Sequence, residues 1–440
     1  MKIERPLVVR IESTLNCNHR CDYCYNPREK QSLGTIEEQT RRISEIVKTI
    51  IDWGVFDITF TGGEPFVNKP TLYSGIDEAS KSGVDYSINT NATLINDDDA
   101  QKLKDTGVTS LFVSFPSHRE DIFDANVGIK GAYQAALKGL DALAKKDLKV
   151  TINTVVTRKP INNIDGVFDT AKFLIERYRN IVRFATASVS PNFIDQAEQI
   201  IANSDIAKIF DQMLEVHNRY GIEIRNSRPL PICFSEGLDP VYRKHDLFRG
   251  CTIGMANSLT VSPTGDLKLC PVLSRPVANV LTDNFEDIKK IVSKYDGSTA
   301  SELKEFSPEE CSDCVILETC KGGCKSEALA MGKDQRKKSR YQKSPQQNQD
   351  LLLGIMENID LIEPHLLSIR KKIKWREDGN NFAVRGEKFA LLTKAEFEML
   401  KYLKSLDSFS PSELCARLNL NKGLFNVFLN KLAKAKIILI

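Results

Sequence analysis

Cys17, Cys21 and Cys24 stand in the run Asn16-Cys17-Asn18-His19-Arg20-Cys21-Asp22-Tyr23-Cys24-Tyr25, a C-x3-C-x2-C array. Thiolates are the usual ligands of iron–sulfur clusters, and a cubane cluster has four irons. Three cysteines in one short loop therefore suit a cluster with one iron left open to a small molecule. A zinc loop and three buried thiols are the competing assignments. Structural zinc takes four protein ligands, and no fourth cysteine stands nearby. Ten of the eleven cysteines lie before residue 325, most in tight groups, which favours metal ligation over disulfides in a reducing compartment.

A second array starts at Cys251 and runs through Gly265-Asp266-Leu267-Lys268-Leu269-Cys270 to Cys311-x2-Cys314-x5-Cys320-x3-Cys324. Ser262-Pro263-Thr264-Gly265 reads as a turn with strand-like flanks, so Cys270 should follow a hairpin. Taken alone, the last four cysteines would also suit a zinc ribbon. A third motif, Thr61-Gly62-Gly63-Glu64-Pro65, follows a β-rich run. Its two glycines would let backbone approach a ligand without intervening side chains.

The elements that must carry these motifs alternate. Strand-like runs occur at Leu7–Glu12, Asp57–Thr61, Asp85–Thr90, Ser110–Phe115, Lys149–Val156 and Ile181–Ser188. Helical stretches between them include Ile36–Trp53, Gln101–Thr106, Ala132–Lys145 and Gly166–Arg177. Six βα repeats predict a parallel sheet with right-handed crossovers, too few for a closed eight-stranded barrel. The cysteine loop and the Gly-Gly-Glu-Pro turn both fall after strands, where chemistry gathers in such folds.

With Tyr23 just before the third cysteine, the first array resembles that of the radical S-adenosylmethionine (radical SAM) superfamily. The resemblance implies a partial (β/α)6 TIM-type barrel and a 4Fe–4S cluster on Cys17, Cys21 and Cys24, whose open iron chelates SAM. The reduced cluster would cleave SAM to methionine and a 5′-deoxyadenosyl radical that abstracts hydrogen. It also implies that Gly62, Gly63, Glu64 and Pro65 contact the SAM amino group, with Tyr23, Asn89, Ser114 and Asn153 as further cofactor-binding residues. Relatives often read Ser-Leu-Asp-Gly where this chain has Ser114-Phe115-Pro116-Ser117, so contacts there should differ. The second array resembles the SPASM extension of peptide- and protein-modifying members. That implies two auxiliary 4Fe–4S clusters, the first on Cys251, Cys270 and Cys324 and the second on Cys311, Cys314 and Cys320. Cys233 or His245 would be available to complete the first. An external electron donor such as flavodoxin or ferredoxin is also implied.

From Lys374 onward, short strands precede three helices over Lys394–Leu406, from Ser410-Pro411-Ser412-Glu413, and about Lys422–Lys434; a strand at Ile437–Ile440 closes the chain. Phe425, Val427, Phe428 and Leu432 read as core, and Cys415 as a small buried side chain. The order is that of a winged helix and is similar to the precursor-peptide recognition element of ribosomal-peptide biosynthesis. Peptide capture on a strand edge is favoured over duplex binding, because little on the third helix suits base readout.

The expected fold class is thus α/β, with a radical SAM partial barrel at 1–225, a SPASM auxiliary domain at 226–345, a linker helix at 346–371 (its helical run Leu351–Lys371) and a winged-helix domain at 372–440. The expected function is radical modification of a ribosomally made peptide, ending in a thioether or carbon–carbon cross-link. Sulfatase maturation ranks lower, since Pro271 follows Cys270 where such relatives tend to carry Asp. A cluster-bearing DNA-binding sensor ranks lower still. A net charge of +3 says little about partners. Met1-Lys2-Ile3-Glu4-Arg5 lacks the apolar stretch of a signal peptide and no run would span a membrane, so a cytoplasmic protein is expected.

Overall fold

The computed structural model describes residues 5–21, 23–26, 33–158, 162–188, 201, 203–230, 247, 251, 253, 259–273, 275–294, 322–326, 367–370, 373–378, 381–386 and 389–439. It divides into two compact units, Leu7–Ile355 and a smaller one of Met1–Pro6 with Met356–Ile440.

Seven strands of the larger unit run parallel: β1 (Val8–Thr14), β2 (Asp57–Gly62), β3 (Asp85–Thr90), β4 (Ser110–Ser114), β5 (Val150–Val155), β6 (Val182–Ser188) and β7 (Glu223–Asn226). The helices that return the chain are α1 (Ile36–Asp52), α2 (Lys69–Ser82), α3 (Asp97–Asp105), α4 (Glu120–Val127), α5 (Ala132–Lys145), α6 (Val167–Arg177) and α7 (Asn203–Tyr220). The expected six units are present, and β7 adds a strand beyond them. Helix α3 begins four residues before the expected Gln101, because Asn96 caps it and exchanges hydrogen bonds with Asp99.

The first strand is not an edge. β8 (Leu259–Val261) pairs parallel to it, and β9 (Asp266–Lys268) and β10 (Ala278–Asn279) continue antiparallel, giving the order β10-β9-β8-β1-β2-β3-β4-β5-β6-β7. The hairpin expected around Ser262–Gly265 is there; Gly265, at φ +89, makes its turn. Helix α8 (Phe285–Ser293) follows.

Alternation along the strands makes the two faces chemically opposite. Val9 and Ile11, Ile58 and Phe60, Tyr86 and Ile88, Leu111 and Val113, Val150 and Ile152 join the helices in one apolar core. The other face carries Arg10 and Glu12, Thr59 and Thr61, Ser87 and Asn89, Ser114, Thr151 and Asn153. A closed barrel fills its interior with Val, Ile and Leu. Here the face opposite the helices is largely polar, with Phe112 the apolar exception among the middle strands.

In the smaller unit, β12 (Lys374–Asp378), β13 (Asn381–Arg385) and β14 (Phe389–Thr393) form an antiparallel sheet in that order, after a short β11 (Ser368–Ile369). Helices α9 (Lys394–Lys404), α10 (Pro411–Leu418) and α11 (Lys422–Lys434) and strand β15 (Ile438–Leu439) complete it. Each helix starts on a side-chain cap, from Thr393, Ser410 and Asn421. Leu392, Phe397, Leu400, Phe409, Phe425, Phe428, Leu429 and Leu432 pack as its core, with Cys415 buried as expected. Arg376 donates to the carbonyls of Arg5 and Pro6, fixing the first residues of the chain to this unit.

Two expectations fail here. Val427 is 56% exposed, because the buried stripe of α11 runs Phe425, Phe428, Leu429, Leu432 at helical spacing and Val427 falls off it. The helix expected over Leu351–Lys371 does not reach its end. Leu367 bridges Phe409, and Ser368–Ile369 pairs with Ile438–Leu439, since Leu367 and Ile369 alternate inward as strand residues. Residues 351–366 lie outside the described residues. No helix among the described residues is long and apolar enough to cross a membrane.

Candidate functional site

Strand β1 delivers the chain into the first cysteine loop at the polar end of the sheet. The loop is held by main-chain bonds: Arg20 N donates to Val127 O at the end of α4 (2.8 Å), and Cys24 N donates to Cys21 O (3.2 Å). Two amides point at sulfur, His19 N at Cys17 Sγ and Asn26 N at Cys24 Sγ, both at 3.4 Å. Tyr23 is buried among the three thiols and hydrogen-bonds Cys21.

Burial raises the Cys21 thiol to about 12, with the neighbouring charge of Cys24 adding to it. Cys17 sits nearer the rim and is raised to about 11, by desolvation first and then by Glu64 and Cys24. Binding a metal at these raised thiols must release their protons. Among the described residues no three His, Cys, Asp or Glu side chains converge on a single ion. A four-iron core is larger than one ion, and three sulfur donors with amides aimed at two of them suit it.

The Gly-Gly-Glu-Pro turn presses on this loop. A Cβ on Gly62 would lie 2.0 Å from Thr14 O, and one on Gly63 2.1 Å from Asn16 O. Gly63 N donates to Thr14 O and Glu64 N to Asn16 O, each at 2.8 Å. The glycines, expected to open a way to a ligand, thus first allow two strand-end backbones to meet. Pro65 starts a short 3-10 turn. The Glu64 carboxylate is buried and engaged by protein: Oε1 accepts from Thr90 Oγ1 (2.7 Å) and Phe66 N (3.2 Å), and Oε2 accepts from Asn91 N (2.7 Å). Burial pushes it up to about 7 despite these three donors.

From there a polar chain returns to the cysteines. Asn91 Nδ2 donates to Asn18 Oδ1 (3.0 Å), Asn18 Nδ2 donates to Thr93 Oγ1 (2.8 Å), and Thr93 Oγ1 donates to Asn91 Oδ1 (2.6 Å). Thr90, Asn91 and Asn18 were not among the expected site residues. Asn91 stands in the Asn89-Thr90-Asn91 turn, but its link to Asn18 joins residues 73 positions apart.

Asn89 lies on the polar face with its amide 3.5 Å from Thr61 Oγ1. Ser114 and Asn153 are register partners on neighbouring strands. Asn153 Oδ1 accepts from Thr186 Oγ1 (2.7 Å) and Ser227 Oγ (3.2 Å). The expected cofactor residues therefore spread along one polar strand-end rim.

A second thiol group assembles beside β1. Cys251, Cys270 and Cys324 come from three separate segments, yet the Cys251 thiol feels the charges of Cys324 and Cys270, and Cys270 that of Cys324. Cys251 and Cys324 are buried. Desolvation raises Cys251 to about 11 and also raises Cys270, while amides of Ile253, Lys325 and Val272 hydrogen-bond the sulfurs and oppose it. This donor set fits a cluster for the same reasons as the first. Cys311, Cys314, Cys320, Cys233 and His245 lie outside the described residues. Sequence reading also missed Glu12, whose carboxylate is buried on β1 and paired with Lys268 at 2.6 Å.

Comparison with known proteins agrees with this arrangement. Residues 11–174 match the profile of the Radical SAM superfamily. An AdoMet-dependent heme synthase of Methanosarcina barkeri is 23% identical over 351 residues, 76% of this chain and 96% of that protein. A PqqA peptide cyclase of Granulibacter bethesdensis is 24% identical over 339 residues, 76% of this chain and 86% of that one. Streptococcus suis SuiB, solved bound to the precursor peptide SuiA, shares the fold with a TM-score of 0.58 at 16% identity, over 76% of this chain and 74% of that one. The thiol loop at the end of β1, the Gly-Gly-Glu-Pro turn beside it and the match over residues 11–174 together identify a radical SAM domain in this chain.

Proposed function

We propose that the enzyme matures a ribosomally made peptide by radical chemistry, ending in a thioether or carbon–carbon cross-link. Radical SAM enzymes use a 4Fe–4S cluster and SAM, which when bound supply one-electron chemistry able to remove hydrogen from an unactivated C–H bond. Cys17, Cys21 and Cys24 would hold the cluster, and Tyr23 would cover its third ligand. Backbone at Gly62–Pro65 would orient the SAM amino group. Asn89, Ser114 and Asn153 would position the rest of SAM along the polar rim. Cys251, Cys270 and Cys324 would hold a first auxiliary cluster, and Cys311, Cys314 and Cys320 a second. The C-terminal part would hold the leader of the peptide and raise its local concentration at the cleft.

The observation that carries this reading is the second unit. Its β14 pairs only with β13 among the described residues, which offers a strand edge to an extended peptide. The names of the relatives support it: a peptide cyclase by sequence, and a fold neighbour solved with a precursor peptide. The heme synthase relative favours a second reading, a heme precursor as substrate. The deciding experiment is the mass of a short peptide encoded beside this gene after anaerobic incubation with enzyme, SAM and reductant. Loss of two hydrogens with 5′-deoxyadenosine formed supports peptide maturation. An unchanged peptide alongside turnover of an added heme precursor overturns it.

A further inference from the structure

Three side chains close a ring beside the first cysteine. Asn91 Nδ2 donates to Asn18 Oδ1 (3.0 Å), Asn18 Nδ2 donates to Thr93 Oγ1 (2.8 Å), and Thr93 Oγ1 donates back to Asn91 Oδ1 (2.6 Å). One main-chain amide fixes the direction of the ring. Thr93 N also donates to Asn91 Oδ1 (3.0 Å). An amide N–H can only donate, so that atom is oxygen and the Asn91 amino group faces Asn18. Each side chain then both donates and accepts, an arrangement in which the bonds reinforce one another.

The ring completes a circuit through Cys17. Glu64 N donates to Asn16 O (2.8 Å), Cys17 follows, Asn18 joins the ring, and Asn91 N returns to Glu64 Oε2 (2.7 Å). Cys17 is thus tied on both sides to the same glutamate turn. Of the three thiols in its loop it is the exposed one, so packing does least to hold it. The turn that carries the ring is itself forced. Ala92 has φ +62 and is fully buried, in a left-handed conformation unfavourable for a residue with a Cβ. Its amide donates to Thr90 Oγ1 (2.9 Å), and its carbonyl oxygen lies where a Cβ on Gly139 of α5 would come within 1.9 Å. Such strain persists only where the surroundings over-determine it, and it gathers at functional sites.

We propose that Asn18, Asn91 and Thr93 are positioning residues for Cys17. Main-chain bonds from Gly63 and Glu64 join the two loops before Cys17, and the ring adds a tie after it. The ring thereby sets where the first thiol stands relative to the Gly-Gly-Glu-Pro turn, and so relative to the backbone that would receive the SAM amino group. The proposal rests on the reading of Cys17 as a cluster ligand.

The test compares T93V with T93S. Valine keeps the shape of threonine but removes the oxygen that accepts from Asn18 and donates to Asn91; serine keeps that oxygen. In the full chain without metal, hydrogen–deuterium exchange read by mass spectrometry should rise across residues 16–21 in T93V and match the wild type in T93S. In the reconstituted chain, equilibrium dialysis should show SAM binding weakened roughly tenfold in T93V at unchanged iron content, the effect of about one net hydrogen bond, and restored in T93S. T106V is the control. It removes a hydroxyl bonded to Tyr86 Oη and Lys102 O at the other end of β3, so it should lower the unfolding midpoint and leave SAM affinity unchanged. If T93V does not fold, N18A, at a half-buried side chain, decides by the same two measurements. Wild-type exchange or wild-type SAM affinity in T93V, or T93S or T106V as weak as T93V, overturns the positioning role while leaving the cluster reading intact. C17A with wild-type iron content removes Cys17 from the ligands, and the proposal falls with that reading.

Discussion

Replacing Gly63 by Ala tests whether the Gly-Gly-Glu-Pro turn and the cysteine loop are one mechanical piece. The added Cβ would meet Asn16 O at 2.1 Å, Asn16 C at 2.5 Å and Leu15 O at 2.7 Å. Carbon and oxygen approach each other to about 3.3 Å without repulsion, so the loop must retreat by about 1 Å. All three atoms are backbone, so no rotamer change relieves the overlap. The retreat stretches the bonds from Glu64 N to Asn16 O and from Gly63 N to Thr14 O, both now 2.8 Å. Overpacking costs about 1–3 kcal/mol, and leaving a buried amide unsatisfied about 1–3 kcal/mol more. A total of about 2–6 kcal/mol is within the stability of a domain. The expected result is a folded protein with a displaced loop, lower iron content after reconstitution and weaker SAM binding by equilibrium dialysis. Gly83 is the control. It sits at φ +72 with nothing within 4 Å of its Cβ position, so G83A should cost about 1–2 kcal/mol of backbone strain and leave iron and SAM binding unchanged. G63A with wild-type iron content and SAM affinity would refute the reasoning.

Three further outcomes are expected. Glu64 has its pKa raised from 4.5 to about 7 by burial, so its contribution to stability is present below about pH 4.5 and lost as pH rises through about 7. That shift is worth about 3 kcal/mol; E64Q lacks it and should gain on the wild type over that window, whereas a constant difference in urea midpoints would show that Glu64 does not titrate there. Ala at Cys17, Cys21 or Cys24 should abolish SAM cleavage, while Ala at Cys311 or Cys314 should spare uncoupled cleavage and stop product formation; normal product from the latter pair removes the second auxiliary site from the reaction. Leu429 is fully buried in the C-terminal core, so L429A should cost that unit about 2–5 kcal/mol and weaken peptide binding at unchanged iron content; unchanged affinity would reduce the unit to a structural cap.

Local spacing alone was enough to find the first cysteine loop, the Gly-Gly-Glu-Pro turn, the hairpin before Cys270 and the three C-terminal helices. Each is encoded within a few residues, by ligand spacing, turn chemistry, caps or helical period. Boundaries failed where a local signal was overridden: Val427 by the phase of the buried stripe, and Ser368–Ile369 by pairing with a strand some 70 positions later. What only the tertiary structure decided is long-range. It placed β8 and β9 beside β1, brought Cys251, Cys270 and Cys324 together, tied Asn91 to Asn18, and set Lys268 against Glu12 across 256 residues. A glycine pair also changed meaning, from access for a ligand to contact between Gly63 and Asn16. Sequence carries the period of each strand and so which residues share a face. Which strands become neighbours is settled only when the sheet forms, and that choice decides which charges and thiols meet.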